Sequence, residues 1–129
     1  EGRIVGGILT ALTSLGGSPY ALDGTGCILV LEDTGEDAYR IDRMLNQLWQ
    51  SGLLSRVAAI AYGDFTDCPN DPGDFTTDQV LDYYAHLAGK PAIKGLPVGH
   101  TKDKAFVPYG VKVRLDADGE GASLTFIDV

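Results

Sequence analysis

Apolar positions along this chain fall into two kinds of run. "CILVL" (Cys27 to Leu31) and "VAAIAYG" (Val57 to Gly63) are continuous, as expected of strands covered on both faces. Between them Ile41, Met44, Leu45 and Leu48 follow the i, i+3, i+4, i+7 spacing of a buried helical stripe, and Arg40, Arg43, Gln47 and Gln50 take the other side. That helix is expected from about Asp37 to Gln50, with Gly52 placed to end it. A second amphipathic helix opens at Thr76, where Gln79 completes a capping-box layout and Val80, Leu81, Tyr84 and Leu87 supply the inner face.

The flanking segments read as β structure and turns. "GRIVGG" is expected to be a short strand with a glycine turn. In "ILTALTSLGG", Ile8, Leu12 and Leu15 keep helical spacing until the stop at Gly16-Gly17. "SPYALDGTG" is loop, and "KPAIKGLPVGH" is a short strand running into a loop shaped by proline and glycine. "GVKVRLDA" and "ASLTFIDV" form a closing hairpin through "DGEG". Strand and helix alternating before a hairpin predict an α/β domain with a mixed sheet. A chain of 129 residues, 44% apolar and 22% charged, is one ordinary globular domain without repeats.

Charge narrows the range of partners. Eighteen acids against 10 Lys plus Arg give a net charge of −8, a field that repels phosphate backbones and argues against nucleic-acid or anionic-membrane binding. No apolar run approaches the ~20 residues of a membrane span, and no signal-peptide layout precedes Glu1. The chain starts without Met and enters "EGRIVGG" almost at once, which suggests a piece cut from a longer protein. Cys27 and Cys68 match neither a CxxC pair nor a zinc spacing; they read as reduced thiols of a cytoplasmic protein, with a single disulfide as the alternative.

Candidate chemistry centres on "LEDTGE" (Leu31 to Glu36). Glu36 and Asp37 lie where the positive end of a helix favours acids by ~0.3–1 kcal/mol each. That accounts for those two and leaves Glu32, at the strand edge, without a bland explanation. Asp64, Asp67, Asp71 and Asp74 crowd one loop but lack the glycine and the bidentate glutamate of an EF-hand, so a solvated loop is expected and no metal. Gly6-Gly7 and Gly16-Gly17 fit neither dinucleotide nor P-loop spacing; they read as turns, and no cofactor is expected. His86, inside the second helix, reads as structural. His100 closes "GLPVGH", where a fixed backbone leaves the imidazole prominent, and a carboxylate that reached it could hold one tautomer. No nucleophile accompanies it: Ser14, Ser18, Ser51, Ser55 and Ser123 sit in no G-x-S-x-G elbow.

"EGRIVGGILTALTSLGGSPY", "LEDTGEDAYRIDRMLNQLWQSG", "GDFTDC" and "GLPVGH" together resemble the C-terminal domain of the LD-carboxypeptidases, serine peptidases that include the microcin-immunity proteins. The resemblance runs from Glu1 through "VRLDADGEGASLTF", and Glu32 and His100, 68 positions apart, keep the order and separation of its two strongest motifs. It implies a domain of the swivelling β/β/α kind and a Ser–His–Glu triad split between two domains. This chain would be the C-terminal half, with Glu32 orienting and His100 as general base, and the nucleophilic serine in an N-terminal domain absent here. Glu36 is the rival acid, four positions off the pattern. Ile8 stands where such sequences often carry a polar residue such as Asn, which bears on backbone capping there. The implied reaction is hydrolysis of an amide between an L-centre and a terminal D-amino acid, as in cytoplasmic recycling of murein tetrapeptides; related members cleave peptidyl-nucleotide antibiotics. The expected partners are a murein or related small peptide and the missing serine domain, with a homodimer left open. The competing class is a non-catalytic interaction module whose acids and histidine are surface groups.

Geometry sharpens the choice among the acids. Consecutive strand residues point to opposite faces, so Glu32 and Asp33 cannot both aim at His100, and Glu36 is taken up at the helix start. Glu32 is expected to face His100 within or near ~2.6–3.2 Å.

Overall fold

The computed structural model describes residues 1–70 and 72–127. In chain order the elements are β1 (Gly2–Ile8), α1 (Leu9–Ser14), β2 (Ile28–Thr34), α2 (Ala38–Gln50), α3 (Leu53–Arg56), β3 (Ala59–Thr66), α4 (Thr77–Ala88), β4 (Ala92–Ile93), β5 (Lys112–Asp118) and β6 (Gly121–Phe126). They build one six-stranded mixed sheet in the order β4-β3-β2-β1-β5-β6. The first four strands run parallel, β5 pairs antiparallel with β1, and β5 and β6 form the expected hairpin.

Both faces of the central strands are covered, which is why their sequences are continuous apolar runs. Leu29, Leu31, Ile60 and Tyr62 face the helices, packing with Ile41, Leu45, Leu48, Leu81 and Tyr84. Ile28, Val30, Ala59 and Ala61 face the other way, under Val98 from the segment after β4 and beside Val113 of β5. The helix stripe of α2 is buried at Ile41, Leu45 and Leu48, joined by Ala38, whereas Met44 is half-buried. Thr76 caps α4 as its sequence indicates: its hydroxyl accepts from the Gln79 N–H while Gln79 Oε1 accepts from the Thr76 N–H.

Several sequence expectations are corrected. Gly6 and Gly7 are not a turn but lie inside β1, and Ile8 ends that strand instead of joining the helix face. The inner face of α1 is therefore Leu9 and Thr13, while Ile8 and Leu15 are exposed. Leu87 is exposed too, because the stripe of α4 drifts to Ala85 and Ala88 in its last turn. β2 and β3 run on through polar residues to Thr34 and Thr66: ladder hydrogen bonds join backbones and continue where the apolar run has stopped. β6 ends at Phe126, and the Asp128-Val129 end of the expected last strand lies outside the described residues. Among the described residues no helix is long and apolar enough to cross a membrane.

Candidate active site

Glu32 sits near the carboxyl end of β2, where open parallel sheets present ligand-binding crevices. Its side chain leaves the face opposite the helices, the same face as Val30 and Ile28 two and four residues earlier. His100 reaches it from the loop after β4. That loop continues as a backbone-paired extension along β3: the Leu96 N–H donates to the Tyr62 carbonyl (3.1 Å), and the Asp64 N–H donates to the Val98 carbonyl (2.9 Å). Val98 is thereby pinned over the sheet and buried. Gly99 follows at φ +119, and a Cβ there would stand 2.9 Å from Glu32 Oε2. Only glycine both adopts this backbone and lets the loop lie against the carboxylate.

The outcome is a close pair. His100 Nδ1 lies 3.1 Å from Glu32 Oε2. The Glu32 side chain is 11% exposed and that of His100 49%, so the carboxylate is sheltered while the imidazole edge opens to solvent. A carboxylate in its ionised form only accepts hydrogen bonds, so this contact favours the tautomer that carries its proton on Nδ1 and leaves Nε2 as an acceptor. Such a ring can take a proton at Nε2.

The other acids of "LEDTGE" are engaged elsewhere. Asp33 is 3% exposed on the helix side of β2. Its Oδ2 accepts from the Thr10 N–H (2.9 Å) and hydroxyl (2.6 Å), and Oδ1 accepts from the Thr34 N–H (2.8 Å). Ile8 is the N-cap of α1 and offers no side-chain cap; Asp33 fills that role from the neighbouring strand. Glu36 lies 3.7 Å from Arg40 on the first turn of α2.

The remaining candidates stay away from His100. Ser14, Ser18 and Ser51 donate to backbone carbonyls of their own turns. Cys27 and Cys68 are free thiols, and burial, helped by the charges of Asp33, Glu36 and Asp67, pushes Cys68 up and makes it a poorer thiolate. Asp64, Asp67 and Asp74 belong to no cluster able to hold a metal among the described residues, and Asp71 lies outside them. His86 is exposed in the last turn of α4.

Tyr109 escaped the sequence reading. Its hydroxyl stands 3.7 Å from where a Cβ on Gly7 would be, and burial together with the Glu32 charge pushes its phenol up. No spacing signals it, because a long loop separates it from both motifs. Asp33 was also unexplained, since its partner Thr10 is 23 positions away.

Residues 1–115 match the family model described as the LD-carboxypeptidase C-terminal domain. A probable murein peptide carboxypeptidase of Bacillus subtilis is 41% identical over 118 residues, which is 90% of this chain and 37% of that protein. The microcin C7 self-immunity protein MccF of Escherichia coli is 33% identical over 135 residues, 97% of this chain and 37% of that protein. Among solved structures, muramoyltetrapeptide carboxypeptidase from Oxalobacter formigenes superposes with a TM-score of 0.89 at 34% identity, covering 98% of this chain and 45% of that one. The chain thus spans less than half the length of these relatives. In sequence and in fold alike, it belongs to the LD-carboxypeptidase family, as a C-terminal domain of that type.

Proposed function

We propose that this domain supplies the base and the orienting acid of a Ser–His–Glu triad, in a serine carboxypeptidase that hydrolyses L,D-amide bonds such as the one to the terminal D-alanine of a murein tetrapeptide. The observation that carries this reading is the 3.1 Å contact between His100 Nδ1 and Glu32 Oε2 at the open end of the sheet. The nucleophilic serine belongs to the part of the parent protein outside this chain. Its Oγ attacks the scissile carbonyl carbon as Nε2 of His100 takes the hydroxyl proton. Glu32 holds the ring in the Nδ1–H tautomer and stabilises the imidazolium. The imidazolium then protonates the leaving amine, and D-alanine departs. Water, deprotonated in turn by His100, hydrolyses the acyl-enzyme. The murein peptide is favoured as substrate by the names of the relatives from Bacillus subtilis and Oxalobacter formigenes. A cytoplasmic setting accords with the two free cysteines.

The same reading makes the isolated chain inactive, because a base and an orienting acid without nucleophile or oxyanion donors cannot form an acyl-enzyme. Purified chain incubated with an L,D-tetrapeptide is expected to release no D-alanine above the buffer blank, whereas the intact parent releases it. Turnover by the isolated chain that persists through further purification would contradict the split site.

A further inference from the structure

Glu32 is aimed at His100 from a point where the sheet holds it least. On the β1 side its pairing with Ile8 is the last of the ladder. On the β3 side the register slips there: from Leu31↔Tyr62 to Asp33↔Phe65, β2 advances two residues and β3 three. The extra residue lies at Gly63–Asp64, where the Asp64 N–H is directed to the Val98 carbonyl of the His100 loop. A bulge of this kind re-aims side chains and weakens pairing locally. Beyond the bulge the ladder resumes at Asp33 and Thr34, and the residue after Glu32 adds a side-chain tether to that backbone pairing. Asp33, 3% exposed, accepts from the N–H and the hydroxyl of Thr10 in the first turn of α1 and from the N–H of Thr34. Thr10 follows Ile8 by two residues, so the carboxylate ties the end of β2 back to the chain that has just left the sheet at β1.

We propose that Asp33 is a positioning residue for the Glu32–His100 pair: with its side chain clamped on the helix face of β2, the pleat directs the preceding side chain onto the opposite face, toward Nδ1. The inference rests on the reading of Glu32 and His100 given above. Asp33 touches no reacting atom. Its effect runs through the backbone of two adjacent strand residues, and it goes beyond the cap that it also gives α1.

The test uses this chain and reads the His100 ring itself. Long-range 1H–15N NMR, at a pH where the imidazole is neutral, distinguishes Nδ1–H from Nε2–H. Wild-type chain is expected to be mainly Nδ1–H. Asp33→Asn puts an amide N–H₂ where a carboxylate oxygen accepts, and it should lower the Nδ1–H to Nε2–H ratio by roughly fivefold or more, the scale of one hydrogen bond. Thr10→Val removes only the hydroxyl donor and should lower it in the same direction; it decides the matter if Asp33→Asn does not fold. Thr76→Ala, which uncaps α4 instead, is expected to reduce thermal stability and leave the ratio unchanged. If wild type is Nδ1–H and a folded Asp33→Asn or Thr10→Val chain keeps that ratio, Asp33 is a cap only and the proposal falls. If wild type itself is mainly Nε2–H, the pairing of Glu32 with His100 fails first, and this inference with it.

Discussion

Glu32→Gln in the intact parent should lower kcat by on the order of 10³- to 10⁴-fold, with the fold and KM little changed. The substitution is nearly isosteric, so the loop carrying Val98, Gly99 and His100 keeps its seat. The chemistry at Nδ1 does not survive it. An amide that donates to Nδ1 selects the Nε2–H tautomer, which has no lone pair facing the serine, and an amide that accepts lacks the charge that stabilises imidazolium. Loss of the orienting carboxylate in a serine triad costs about 10⁴ in rate for this reason. Glu36→Gln is the matched comparison. It removes a solvent-screened pair with Arg40 at 3.7 Å, a kind that contributes little, and kcat should stay within about twofold. Steady-state release of D-alanine from an L,D-tetrapeptide separates the two. Equal losses in both variants would remove the distinction drawn between these acids.

Gly6→Ala should be the most damaging single methyl added to the fold. Gly6 lies inside β1 at φ +139, and a Cβ there would be driven into the Val30 carbonyl of β2. Unfavourable backbone contributes about 1–3 kcal/mol, and forcing apart packed strands contributes about 1–3 more. Together, about 2–6 kcal/mol is a large part of the ~5–15 that holds a domain folded. For a chain of this size the melting temperature should fall by roughly 10 °C or more. Gly119→Ala in the β5–β6 turn meets nothing within 4 Å and should remain within about 0.5 kcal/mol of wild type. Thermal melts followed by circular dichroism measure both; an unshifted Gly6→Ala melt would mean that β1 and β2 do not approach as described.

The parts of this architecture that sequence discloses are those where one residue's neighbours along the chain decide its environment. The apolar run of Ile28 to Leu31, the stripe of α2 and the reciprocal Thr76–Gln79 cap are local in that sense, and the structure contains each of them. Gly6 and Gly7 deceived the pattern because glycine carries no apolar signal, so a strand passing through them looks like a turn. Met44 and Leu87 lie at the margins of their helix stripes, where a small rotation of the helix decides burial. The Glu32–His100 contact joins positions 68 apart, and periodicity has no access to such a distance. It became legible only through two motifs whose order and separation match a known family. Asp33 shows the remaining gap. Its burial among Thr10 and Thr34 donors depends on α1 starting beside β2, which is a property of the sheet order and not of "LEDTGE" itself.

The central claim is that Glu32 and His100 act as one unit in the intact parent, and a double-mutant cycle on kcat addresses it most directly. His100→Ala, Glu32→Gln and the combined variant are compared for D-alanine release from a murein tetrapeptide. Groups that work as a unit are far from additive, since once the base is gone its orienting acid has nothing left to do. The combined variant is therefore predicted to be no slower than His100→Ala alone. If the two losses multiply instead, each residue contributes independently and the paired site described here is wrong.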